Sequence, residues 1–344
     1  MKSSTRLVLC LPLAFAAVLF LAGSHLKLMP GLTTVQAAGQ DQAPPDQGPD
    51  PAAVNQAPDS SAAPAGDSYT TEAPPPADQS PDDANYAEQP TATATEAPPP
   101  LPQYVQPPAP GDGYIWTPGY WAWGPYGYYW VPGVWVEPPY ESALWTPGYW
   151  GFYGGRYLWY PGHWGFHIGW YGGINYGFGY VGFGYEGGYW HGGHFFYNRV
   201  YNNINVRNVH NVYSYRANVH MNDMHINNNV RVNNNVHVNN NNERFNNNSR
   251  MDNGMRPSYR GGPNGVVSRP QPQEGAAYRE PTAPRMNTQV QHEQNYSAMR
   301  GQYASENHGR PATPAESRPL RAEPNVRPQQ RSGGGGGGHS GGHR

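Results

Sequence analysis

Four copies of Trp-x-Pro-Gly-x-Trp, running Trp116 to Trp121, Trp130 to Trp135, Trp145 to Trp150 and Trp159 to Trp164, constrain this chain more than any other feature. They begin 14, 15 and 14 residues apart, so the first and third, like the second and fourth, are offset by 29, the mark of a duplicated pair. Around them, from Tyr114 to Phe166, Tyr, Trp and Val dominate and are interrupted at Gly124-Pro125-Tyr126-Gly127, Pro138-Pro139 and Gly154-Gly155. That pattern predicts four strands of about ten residues in an antiparallel meander: Tyr114 to Trp123, Tyr128 to Glu137, Leu144 to Phe152 and Arg156 to Phe166.

Each predicted strand carries one Pro-Gly at its middle. Trp116 and Trp121 are five residues apart, which on a regular strand puts them on opposite faces. One extra residue restores both to one face, so bulges are expected at Pro118-Gly119, Pro132-Gly133, Pro147-Gly148 and Pro161-Gly162. In that reading Gly supplies a positive φ and Pro occupies a position where no ladder donor is missed. A type II turn at each Pro-Gly is the weaker alternative, because its twist opposes that of the flanking strands. The eight indoles alone do not offset the ordering of some fifty residues, so the sheet is expected to pack on something else. Gly165 to Tyr197, which alternates glycine with aromatics such as Tyr176, Phe178 and Tyr180, is the expected cover, the alternative being a glycine-rich flexible segment that sticks to surfaces.

The flanks differ in kind. Lys2 and Arg6 followed by an apolar run from Leu7 to Ala22 have the order of a secretory signal, with small residues at Val35-Gln36-Ala37 for cleavage. An uncleaved membrane anchor is the alternative, weakened by Pro12, His25 and Lys27. The only cysteine, Cys10, lies inside the apolar run, so a cleaved chain holds no thiol for a disulfide, a nucleophile or a zinc-thiolate site. From Ala38 to Gly113 there are twelve Asp or Glu and no Lys or Arg, amid recurrent Pro and Ala, which predicts an extended, disordered acidic stalk. Beyond Tyr201 asparagine takes over: Asn-Val recurs at Asn205-Val206, Asn208-Val209 and Asn211-Val212, and a hexad repeats from Met224. Such tracts either stack as ladders or stay disordered.

The expected organisation is a signal or anchor (1–37), the stalk (38–113), the repeat domain (114–166), a Gly/aromatic and Asn-Val segment that is partly β (167–221) and a disordered tail (222–344). The fold class is mostly β: a small aromatic-rich meander of four bulged strands plus a Gly/aromatic β segment between long disordered flanks.

At the four motifs, and at Gly-Tyr-Trp-His-Gly-Gly-His-Phe-Phe-Tyr-Asn-Arg from Gly188 to Arg199, the chain resembles the YXWGXW (WXXGXW) repeat family of exported bacterial proteins. The resemblance covers about 113–215, less than a third of the chain. It implies export and the repeat, and carries no activity with it.

Catalysis is not expected. Between Gly113 and Asn198 the only acids are Glu137, Glu141 and Glu186, and no nucleophile elbow or phosphate loop is present. No cofactor is expected. His191 and His194, with His163, His167 and His210 nearby in sequence, have the chemistry for a metal, against the plainer reading of polar members of an aromatic surface. After Asn198 there are 18 Arg against 9 acids. With an export signal, that excess suits an anionic envelope surface or the acidic stalk itself better than nucleic acid.

Two functions follow as expectations: a non-enzymatic structural or interaction protein of the bacterial envelope or extracellular space, or a carbohydrate-binding module. The second would stack sugars on Trp121, Trp135, Trp150 and Trp164, the second tryptophan of each copy. Partners are then further copies of the chain or an envelope polysaccharide, and a membrane is met only through an uncleaved N-terminus.

Overall fold

The computed structural model describes residues 48–58, 89–217, 225–226, 256–323 and 327–329. The expected signal or anchor, stalk residues 59–88, the hexad run apart from the backbone of His225–Ile226, and the terminal glycine run lie outside the described residues.

The described part is mostly β. A short strand β1 (Ala92–Ala94) precedes the repeat, and each ten-residue segment of the repeat forms two strands broken at its Pro-Gly. The first pair of copies gives β2 (Ile115–Thr117), β3 (Tyr120–Gly124), β4 (Gly127–Val131) and β5 (Val134–Val136). The second gives β6 (Leu144–Thr146), β7 (Tyr149–Tyr153), β8 (Arg156–Tyr160) and β9 (His163–Gly165). Pairing is β2 with β5 and β3 with β4, then β6 with β9 and β7 with β8. The repeat is therefore two long hairpins, one per duplicated unit, and no ladder joins the first to the second as a meander requires. The second hairpin turns at Gly154 and Gly155, both at positive φ, in the conformation that matches strand twist.

The segment after the repeat adds β10 (Asn175–Gly177) paired with β11 (Tyr180–Val181), and β12 (Gly188–His191) paired with β13 (His194–Asn198). The Asn-Val stretch contributes β14 (Val212–Tyr213), parallel to β13. No asparagine ladder forms there. Asn205 instead closes a turn by accepting from Asn208 and Val209, which buries Val209 and leaves Val206 outside. This segment covers the repeat: Phe178 packs 5.6 Å from the Trp116 ring, and Tyr197 lies 6.1 Å from Trp135.

Residues 89–113 and 256–323, expected as part of the disordered stalk and of the disordered tail, are instead packed and structured. β1 pairs with β8. In the C-terminal part, β15 (His225–Ile226), β16 (Tyr259–Arg260) and β17 (Val266–Val267) extend the same sheet, with β16 lying parallel to β7. Helix α1 (Pro272–Arg279), β18 (Ala283–Pro284) on β9, α2 (Asn287–Ser297) and α3 (Ala304–Asn307) follow. Along the first hairpin Tyr303, Ala315 and Leu320 bridge to Tyr129, Gly133 and Val136. One edge of the first hairpin, and β7, β8 and β9 of the second, are thus lined by chain that composition marks as stalk or tail, which protects edges that would otherwise be open to pairing.

Candidate functional site

The Pro-Gly interruption differs from a bulge. Trp116 pairs with Trp135 and Thr117 with Val134 on one side of it, and Tyr120 with Val131 and Trp121 with Trp130 on the other, so the register is unbroken. Pro118-Gly119 lies opposite Pro132-Gly133, and Pro147-Gly148 opposite Pro161-Gly162, so both strands are interrupted together and neither holds an extra residue. None of Gly119, Gly133, Gly148 and Gly162 has a positive φ. Glycine is needed for space instead. A Cβ on Gly119 would sit 2.3 Å from Trp130 Cζ2 and 2.9 Å from Gly133 N, and one on Gly133 would sit 2.6 Å from Trp116 Cζ2 and 2.9 Å from Gly119 N. The second hairpin repeats this with Trp145 against Gly162 and Trp159 against Gly148. Two backbones cross at close range, and the first indole of each copy lies on the glycine of its partner copy.

Breaking the ladder frees backbone groups, and side chains and backbone from outside the repeat satisfy them. The Gly119 amide donates to the Tyr104 hydroxyl at 3.1 Å. Pro132 O accepts from His292 Nε2 at 2.9 Å, Gly133 O from the Glu316 amide at 2.8 Å, and Gly148 O from the Tyr176 hydroxyl at 2.5 Å. Burial pushes the Tyr104 phenol up to about 12 and holds His292 below its ordinary value, so both are neutral partners near neutral pH.

The indoles form four cross-strand pairs with ring centroids 5.1 to 5.5 Å apart. One proline-rich stretch runs along all four indoles of the first hairpin: Pro100 O accepts from Trp121 at 3.1 Å, the Tyr104 ring touches Trp116 and Trp130, and Pro107 O accepts from Trp135 at 2.8 Å. Trp130 donates to Pro314 O at 2.9 Å, Trp150 to Trp121 O at 2.8 Å and Trp164 to Gln289 Oε1 at 2.9 Å. Trp121, Trp135 and Trp150 are 1% exposed and Trp164 0%. The expectation that these four offer open faces to a sugar is corrected: rings packed against their partner indoles and enclosed by the chain to this degree have no face left for a ligand.

The Tyr180 hydroxyl marks the duplication. It lies 3.3 Å from Trp116 O and 2.9 Å from Trp145 O, two positions related by the 29-residue offset.

His191 and His194 face each other across a two-residue turn, Gly192 and Gly193, both at positive φ, and both imidazoles are exposed. The other histidines do not join them. His167 pairs with Glu280 at 2.8 Å, His210 with Asp112 at 2.6 Å, and His163 is buried in β9 of the second hairpin. Among the described residues no group of three or more His, Cys, Asp or Glu is arranged to hold a metal. On the same face of the β12–β13 ladder as the two histidines, Tyr189 and Phe196 stack at 5.3 Å with planes 14° apart, and Tyr213 meets Tyr189 at 5.3 Å. Half-buried Tyr189 and Phe196 with exposed His191 and His194 make an aromatic and imidazole patch that the repeat does not cover.

The matching family model is the WXXGXW repeat, found as two copies over residues 111–136, which is the first hairpin. The chain carries that repeat, and the second hairpin reproduces its pairing, its glycine contacts and its buried indoles at residues 144–165. No curated protein and no solved structure matched the chain.

Proposed function

We propose that the chain is an exported, non-enzymatic structural or interaction protein of a bacterial envelope or the extracellular space, and that it meets its partner through the Tyr189, His191, His194 and Phe196 face. One observation supports this above the rest: the eight motif tryptophans serve as interior, while that patch remains at the surface. The basic, then apolar, N-terminal sequence supports export, and the repeat family that the sequence resembles points the same way. The partner is a second copy of the chain or an envelope polymer, met by aromatic stacking and by imidazole hydrogen bonds to hydroxyl or anionic groups.

Cell fractionation tests the proposal. The full chain is expected in the envelope or the medium, with a His191→Ser/His194→Ser variant washing more freely from envelopes at an unchanged melting temperature. Recovery of the chain inside the cell, or equal retention of the variant, contradicts it.

A further inference from the structure

The β12–β13 hairpin closes through Gly192 and Gly193, at φ +57° and +77°, a two-residue turn that sets the residues on either side of it directly opposite each other. Those residues are His191 and His194. Directly opposed side chains leave the same face of a ladder with Cβ atoms about 4.5–5.5 Å apart. Two imidazoles at that spacing can turn one nitrogen each onto a single ion between them, at the roughly 2.0–2.1 Å of a metal–imidazole bond.

The pair differs from other histidines of the chain in having its nitrogens free. His167 is bonded to the Glu280 carboxylate, His210 to Asp112 and His292 to the Pro132 carbonyl. His191 and His194 are exposed and make no hydrogen bond within the described residues, and the His191 ring only leans on Phe196, 6.2 Å between centroids. A carboxylate stands at the same tip. Glu141, itself exposed, places its Oε1 3.0 Å from where a Cβ on Gly193 would be, an approach that any side chain at 193 would crowd.

We propose that His191 and His194 together bind a divalent ion of the zinc and copper class, with the Glu141 carboxylate beside it. Imidazole is the donor such ions prefer, whereas calcium and magnesium take oxygen. Two protein ligands leave the other coordination positions to water, unlike the four that close a structural zinc site, so the ion is exchangeable. The paired strands and the short turn hold the two histidines opposite each other before any ion arrives, which lowers the ordering cost of binding. The ion needs no envelope partner, so the inference goes beyond the proposed role and is tested apart from it.

The test is acylation of histidine by diethyl pyrocarbonate on the purified full chain at about pH 7.5, mapped residue by residue by mass spectrometry, so that the other histidines of the chain do not blur the result. Zn2+ is the probe. It is expected to shield His191 and His194 together with one midpoint, while Ca2+ shields neither and EDTA restores both. In His194→Ser the Zn2+ concentration that half-shields His191 should rise at least about tenfold, at an unchanged melting temperature. Reaction of both histidines unaffected by Zn2+, or His191 shielded as well in His194→Ser as in the parent chain, overturns the site.

Discussion

At the scale of single residues, the repeat is an arrangement of glycine against indole. A Cβ on Gly148 would fall 2.6 Å from Tyr160 O, 2.7 Å from Gly162 N and 2.7 Å from Trp159 Cζ2, and two of those atoms are backbone that cannot move aside. Gly148→Ala is therefore expected to cost about 3 kcal/mol or more in urea denaturation, at the upper end of overpacking effects. Gly127→Ala is the control: its φ is +95° and nothing lies within 4 Å, so only backbone strain of about 1 kcal/mol is expected. Equal losses at the two positions would show that positive φ, not close approach, is what glycine supplies in this chain. The sequence made the interruption visible and left its kind undetermined. One extra residue and two facing interruptions both bring tryptophans five apart to one side, and only the pairing register separates them.

At the scale of elements, the flanks complete what the repeat starts. Helix α2 buries Gln289, His292 and Tyr296, spaced as one helical face, and the first two of these are polar. Gln289 Oε1 accepts from both the Trp164 indole and the Met286 amide, so Gln289→Leu leaves two buried donors without a partner and should cost roughly 1–3 kcal/mol of stability by thermal or urea melts. A loss no larger than that of an exposed control, such as Gln294→Leu, would contradict the role. Truncation after residue 255 removes β16, β18 and the Tyr303, Ala315 and Leu320 bridges, and is expected to give an aggregating product by size-exclusion chromatography. These elements were hard to read in the sequence because their inward faces mix a few apolar residues, such as Met286 and Tyr303, with buried polar groups such as Gln289, His292 and Gln302. Hydrophobic periodicity reports apolar burial, whereas these residues are buried by bonding indole N–H groups and freed backbone. The two hairpins were legible, since Trp, Tyr and Val between glycine turns name both the strands and their ends.

At the scale of the whole molecule, two buried carboxyls, Glu186 and Glu274, set a pH response. Burial, with Asp50 adding to it at Glu186, holds Glu186 and Glu274 at about 8 each. Their folded values are raised, so the stability they contribute is complete below the ordinary carboxylate range and is lost as pH rises toward about 8. His292 has the opposite sign: its lowered value costs stability as pH falls below the ordinary imidazole range. The melting temperature of the parent chain should therefore fall relative to Glu186→Gln and Glu274→Gln as pH rises from about 5 to about 8; parallel curves would contradict this. The central claim remains that the repeat's tryptophans form an interior closed by the chain's own flanks. Iodide quenching of tryptophan fluorescence in the native full chain tests it most directly. Blue-shifted emission with little quenching, rising to full quenching in denaturant, is the predicted result; red-shifted native emission that iodide quenches as completely as in the unfolded chain would contradict it.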